Sequence, residues 1–288
     1  MSGKFTGAGV GPGDPELMTL KALRVIRECS VIAVPVSDPE LKEPVCSCEA
    51  ARRLHQEQSP QSERDGHEAK VTGQDGHTGN GRYSRYLSGC VAYQTARKAC
   101  SEIEQKDVLF LPMPMIKEKE RLKEIHDLDV RAVAELLDRE KDVVFLTLGD
   151  PSVYSTCMYV HRRLKRMRYD TALVPGVTSF CAAAARMDCS LAENREELHI
   201  LPASYDIEEG LKLSGTKVLM KAGRKLGKVK ALLAEKGLEA KMVENCGMEG
   251  ERIFQSTEEI PEQAGYYSLL VVKDSSEKGA DKKRGNRL

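Results

Sequence analysis

Apolar residues in the first 175 positions follow two alternating patterns. Val31-Ile32-Ala33-Val34 is an unbroken apolar run closed by Pro35, and 108–111 and 143–148 are two more. Runs this short and continuous suit strands buried on both faces. Shorter strand candidates lie at 5–9, ending in a glycine-rich turn, and at 172–174, before Pro175. Between them apolar residues recur at helical spacing: Leu17, Leu20, Leu23 and Val25/Ile26 over 17–29, then Ile125, Leu128, Ala132, Val133, Leu136 and Leu137 over 125–137. Strands of this kind alternating with amphipathic helices predict an α/β domain on a mostly parallel sheet over 1–175.

The pattern changes over 176–274. A helix with a small-residue face is predicted at 178–187, and helices at 207–212 and 225–236. Strands are predicted at 198–201, 217–220, 241–243, 253–254 and 266–272. The last two have no helix-length segment between them, which allows an antiparallel pair and so a mixed sheet. Two stretches fit neither domain. Residues 55–86 are rich in Gln, Ser, Gly, Asp and charge, hold His55, His67 and His77, and read as a solvated, flexible insertion; 275–288 reads as a frayed, disordered tail.

Composition narrows the classes. A length of 288 residues fits two domains at about 150 residues each. Forty-four basic and 44 acidic residues leave no net charge, which argues against a generally basic nucleic-acid binder. The absence of Trp and an aromatic share of 5% weaken any reading based on stacking bases. No apolar run approaches the roughly 20 residues of a membrane span, and the N-terminus shows no secretory signal. Nine scattered cysteines then predict reduced thiols and a cytoplasmic protein. Cys46-Ser47-Cys48 lacks zinc-ligand spacing and reads as two small residues at a helix start, so no metal is expected.

Three turns carry the candidate chemistry. Gly9-Val10-Gly11-Pro12-Gly13-Asp14-Pro15 stands where a strand ends and a helix begins. Its spacing is not G-x-G-x-x-G, and the Lys-Ser/Thr of a phosphate loop is absent. It is equally a close-approach site for a ligand or a tight turn with Asp14 near a helix N-terminus. Leu148 to Thr156 (LGDPSVYST) follows the most apolar strand, at the carboxyl end where ligands bind in open α/β sheets. Ser155 and Thr156 could also simply cap the next helix. Val174 to Ser179 (VPGVTS) repeats the strand, turn, hydroxyl pair and helix.

Together these turns closely resemble the tetrapyrrole methylase family, from Phe5 to about Lys273. The runs PELMTLKA (15–22), VVFLTLGDPSVYST, VPGVTSFCAAAAR and MKAGR (220–224) resemble in particular members that methylate C20 of precorrin-2 or its cobalt form. The resemblance implies two α/β domains with an active-site cleft between them, a homodimer, S-adenosyl-L-methionine as methyl donor (leaving as S-adenosyl-L-homocysteine) and a tetrapyrrole acceptor in corrin synthesis. It implies cofactor contacts at Leu148, Gly149, Asp150, Val153, Ser155, Thr156, Thr178, Ser179, Ala222 and Cys246, with Tyr205 beside them. Gly11, Pro12, Gly13 and Asp14 would line the tetrapyrrole side, with Arg224 near the cofactor and suited to substrate carboxylates. Another corrin position, an rRNA ribose or a diphthine precursor are alternative acceptors on the same scaffold. No net charge and few aromatics argue against RNA, and no nucleic-acid or membrane partner is expected.

Methyl transfer needs reactants held in line more than it needs a catalytic dyad. A proton must leave C20 afterwards, and Asp14 is the candidate acceptor. Of the basic clusters, Arg162, Arg163, Lys165, Arg166 and Arg168 read as a solvated helix face, whereas Lys221, Arg224 and Lys225 lie near the expected cofactor. His126 is a substrate contact or a packing residue at a helix start. Cys157 and Cys181 read as buried packing residues.

Overall fold

The computed structural model describes residues 2–47, 79–202 and 206–274. They fall into two compact units. The first comprises Met1–Gly11 and Pro15–Gly176, the second Pro12–Asp14 and Val177–Leu288.

The first unit is built on six strands: β1 (Lys4–Gly9), β2 (Val31–Val36), β3 (Val45–Cys46), β4 (Asp107–Pro112), β5 (Val143–Thr147) and β6 (Asp170–Val174). Their order is β3-β4-β2-β5-β1-β6, parallel throughout except for the β3–β4 pair. Alternate residues of each strand enter different cores. Ile32 and Val34 join α1 (Leu20–Glu28), α2 (Gly79–Gly89) and α3 (Val91–Ala99) on one face. Val31 and Ala33 join α4 (Lys119–Asp138) and α5 (Cys157–Arg166) on the other. Helices on both faces explain why these strands read as unbroken apolar runs. Pro35 does not close β2; it lies inside the strand, where pairing to β5 has stopped at Ala33, so its missing N–H breaks no ladder on that side.

Several expectations need correction. The helix predicted from residue 17 begins at Leu20, because the Thr19 hydroxyl accepts the Ala22 amide at 3.1 Å and caps it. Asp14, as expected, stands directly before a helical turn, the 3-10 turn Pro15–Leu17, and α1 follows it. Of the predicted insertion, 55–78 lie outside the described residues, but its end is not a solvated loop. Gly79–Gly89 form α2, and Tyr83 stacks on Phe110 at 5.2 Å while Tyr86 is buried against the same ring. Two Tyr residues at i and i+3 are enough to anchor a helix that its polar composition concealed. Cys46 ends β3 directly before the helical Ser47, in keeping with the expected helix start, and Cys48 is outside the described residues. Cys181 is exposed, not buried.

His126 sits well inside α4, buried, with its ring stacked on Tyr159 of α5 at 4.7 Å. It is a packing residue. One turn on, Asp129 is fully buried and neither carboxylate oxygen has a hydrogen-bond partner. Burial pushes its carboxyl up to about 8, against the opposing pull of Arg163. Arg163 is the half-buried member of its basic run and pairs with Asp127 at 3.3 Å; Arg162, Lys165, Arg166 and Arg168 are exposed, as a solvated face requires.

The second unit has five strands: β7 (Leu198–Pro202), β8 (Thr216–Met220), β9 (Glu239–Glu244), β10 (Arg252–Phe254) and β11 (Ser268–Lys273). The order is β10-β9-β11-β8-β7, with β7 and β8 parallel and the other pairs antiparallel. The sheet is mixed, but the expected pairing of the last two strands does not occur: β11 inserts between β8 and β9, and β10 pairs with β9 instead. One face packs on α7 (Ile207–Gly210) and α8 (Leu226–Lys236) through Ile207, Leu226, Val229, Leu233, Met242 and Leu270. Against β11 lies α6 (Ser179–Arg186), and Lys241 reaches the Met187 carbonyl just beyond it at 3.2 Å. Its alanine run lets helix and sheet approach closely. Fully buried Lys217 is neutralised by an ion pair with Asp274. Among the described residues no helix is long and apolar enough to cross a membrane.

Candidate functional site

In the first unit, the turns after β1, β5 and β6 meet at their backbones. The Gly149 amide donates to the Gly11 carbonyl at 2.6 Å, and the Val10 amide to the Thr147 carbonyl at 2.9 Å. A Cβ on Gly9 would fall 2.5 Å from the Gly149 oxygen and 2.7 Å from the Gly176 nitrogen. Only a residue without a side chain permits that approach. The parallel topology thus brings three glycine turns, far apart in sequence, to one place at the carboxyl ends of neighbouring strands, where open α/β sheets bind ligands.

Asp150 ties two of these turns together. Its carboxylate accepts the Ser152 amide at 2.8 Å, the Ser152 hydroxyl at 2.5 Å and the Gly176 amide at 2.9 Å. Burial by itself would raise its pKa, but these donors outweigh burial and hold the carboxyl below its ordinary value. The side chain is committed to its own chain, so Asp150 can offer a ligand chiefly backbone.

Ser155 accepts the Cys157 amide at 3.2 Å and pairs with the Thr147 hydroxyl at 3.1 Å. Thr156 occupies the position before α5 but makes no side-chain capping bond and is exposed; Leu148 and Val153 are half-buried. Behind this turn burial pushes the Cys157 thiol up to about 12, which fits packing and not nucleophilic chemistry.

In the second unit, Pro12, Gly13 and Asp14 pack on the segment after β9. A Cβ on Gly13 would collide with the Met248 side chain and lie 3.3 Å from the Cys246 carbonyl, and a Cβ on Gly247 would lie 3.0 Å from Asp14. Asp14 is half-buried. Cys246 is buried, and its thiol is pushed up to about 11 by that burial. Thr178 precedes α6 without capping it; its hydroxyl is buried and has no hydrogen-bond partner, and Ser179 beside it is half-buried. Ala222 is fully buried in the core just after β8. Arg224 lies in a 3-10 turn, Gly223–Lys225, between Ala222 and α8. Tyr205 is outside the described residues.

The candidate residues therefore gather as two sets, each internally consistent. Gly11, Leu148, Gly149, Asp150, Val153, Ser155 and Thr156 belong to the first unit. Pro12, Gly13, Asp14, Thr178, Ser179, Ala222, Arg224 and Cys246 belong to the second. Sequence reasoning left Gly9 and Gly176 out of the site, although both stand in the quoted turns; nothing in spacing says that two glycines 167 positions apart touch.

A profile of the family described as Tetrapyrrole (Corrin/Porphyrin) Methylases matches residues 4–80 and 85–261. A Methanocaldococcus jannaschii protein named "Probable cobalt-precorrin-2 C(20)-methyltransferase" is 28% identical over 273 residues, covering 94% of this chain and 96% of that one. Precorrin-2 C(20)-methyltransferase of Sinorhizobium sp is 26% identical over 278 residues, covering 94% and 95%. Among solved structures, uroporphyrin-III C-methyl transferase from Thermus thermophilus, in complex with S-adenyl homocysteine, superposes with a TM-score of 0.58 at 18% identity, covering 96% of this chain and all of that one. At that identity the likeness concerns the fold.

Proposed function

The chain belongs to the tetrapyrrole (corrin/porphyrin) methylase family, and from that premise we propose that it transfers a methyl group from S-adenosylmethionine to C20 of precorrin-2 or of its cobalt complex. The observation that carries the reading is similarity along nearly the whole of both chains to relatives that bear this name. The reading includes a homodimer, which rests on the family resemblance and is checked by light scattering of the purified chain, and a cytoplasmic location, which rests on the nine scattered cysteines.

The residues present fit the donor. Thr178 offers a buried hydroxyl with no protein partner. When bound, S-adenosylmethionine supplies an electrophilic methyl already attached to its leaving group. Leu148, Gly149, Asp150 and Val153 would hold it largely through backbone, assisted by Ser155, Thr156, Thr178, Ser179, Ala222, Cys246 and Tyr205. Such contacts orient rather than react, and orientation is the main requirement of an in-line transfer. Gly11, Pro12, Gly13 and Asp14 would face the tetrapyrrole, and Arg224 would suit its carboxylates. Asp14 is proposed to accept the C20 proton; Asp14→Asn with unchanged turnover would remove that role.

The test is transfer of labelled methyl under anaerobic conditions to metal-free precorrin-2 and, in parallel, to its cobalt complex. One added methyl at C20 is expected, and the faster substrate assigns the metal state. Bound donor with no transfer to either substrate would redirect the reading to another acceptor.

A further inference from the structure

Two segments of the second unit carry expected donor contacts: α6, entered at Thr178 and Ser179, and the 245–251 connection between β9 and β10, which holds Cys246. One ion pair joins them. Arg186, in the last turn of α6, grips Glu251 with both its Nε and a terminal nitrogen; Nε lies 2.9 Å from one carboxylate oxygen and 3.2 Å from the other. Glu251 is the less exposed partner, with its side chain 14% exposed against 59% for Arg186. Its Oε2 also accepts the Gly247 amide at 2.7 Å. A single carboxylate thus fixes both a helix end and the middle of the connection.

The connection needs fixing. Asn245 and Gly247 both adopt left-handed backbone, with φ of 53° and 72°. A non-glycine residue there is strained and persists only where its surroundings enforce it. The connection has local support from the Asn245 side chain on the Gly250 carbonyl at 3.3 Å and the Met248 amide on the Asn245 carbonyl at 2.9 Å. Only Glu251 links it to α6 by an ion pair among the described residues. Gly247, which Glu251 holds, is also the residue whose face lies against Asp14.

We propose that Arg186 and Glu251 are positioning residues for methyl-donor binding, holding the Cys246 segment at a set distance from the Thr178–Ser179 helix start. This rests on the functional reading above. Neither residue is taken to touch the donor. Because they act through a pre-set loop, loss of the pair should weaken donor binding while leaving the transfer step of bound reactants nearly unchanged.

The experiment compares wild type with Glu251→Gln and Arg186→Lys. The first keeps an acceptor for the Gly247 amide and loses the charge; the second keeps the charge and loses the fork. For each, Kd for S-adenosylhomocysteine is measured by calorimetry, and KM for both substrates and kcat by methyl transfer, with the folded fraction taken from the calorimetric binding stoichiometry. The expected result is a rise of about tenfold in Kd and in KM for the donor, with kcat per folded molecule and KM for the tetrapyrrole within about threefold. A merely structural role would lower the folded fraction and leave the donor KM of the remainder unchanged, which would overturn the proposal. A selective rise in the tetrapyrrole KM would overturn it too. Wild-type protein that binds no S-adenosylhomocysteine would instead remove the functional reading, and the proposal with it, a result distinct from any change between variants.

Discussion

At the scale of single residues, the site depends on what is missing from side chains as much as on what is present. Gly9 is the sharpest case. The atoms its Cβ would meet are backbone atoms of two neighbouring turns, which cannot rotate away as a side-chain tip could. Gly9→Ala should therefore destabilise the first unit by about 2 kcal/mol, the scale of overpacking in a closed core, and also weaken donor binding. Urea denaturation and calorimetry with S-adenosylhomocysteine check this; an unchanged midpoint together with unchanged affinity would mean that the three turns do not meet as described. Asp150 shows the opposite economy. A residue that reads from sequence as a ligand contact spends its carboxylate on Ser152 and Gly176.

At the scale of elements, the α4–α5 pair holds a group that the chemistry does not use. Asp129 has no hydrogen-bonding partner, and its carboxyl is pushed up to about 8 from an unfolded value near 3.8. The folded state thus binds the proton more tightly than the unfolded chain does. The stability from this group is complete below about pH 4, declines as pH rises and is gone above about pH 8. Asp129→Asn removes the titration. The variant should gain on wild type steadily between pH 5 and pH 8, which thermal unfolding across that range will show. A difference that does not change with pH would mean that Asp129 finds a partner in solution. On the opposite face of the sheet, α2 was hidden from the sequence for a different reason. Its polar residues outnumber its apolar ones, and what anchors it is Phe110 on a strand more than 20 positions away.

At the scale of the whole molecule, the chain divides where sequence does not. Pro12–Asp14 lie near the N-terminus yet group with residues from Val177 onward. A fragment spanning 177–274 would lack the turn on which Gly247 and Met248 pack. Its β8, β9 and β11 ladder is complete without that turn. Hydrogen exchange of this fragment should show β9 and β11 still protected and the amides of 245–251 exchanging at least tenfold faster than in the full chain. Equal protection of 245–251 in both would mean that the turn contributes nothing to the segment.

The alternation of apolar runs and amphipathic helices by itself determined that both halves are α/β, and that the first sheet is largely parallel. Burial on both faces leaves a mark on every strand residue, and local patterns can be read locally. The three turns were equally legible, since glycine, proline and paired hydroxyls act within a few residues of their own positions. Tertiary structure decided everything that depends on partners distant in sequence. It placed β11 between β8 and β9, closed Gly9 on Gly149 and Gly176, turned Asp150 inward, and joined Arg186 to Glu251 across 65 positions. Strand order, close backbone contact and ion pairing arise between segments, and no spacing along a single segment encodes them.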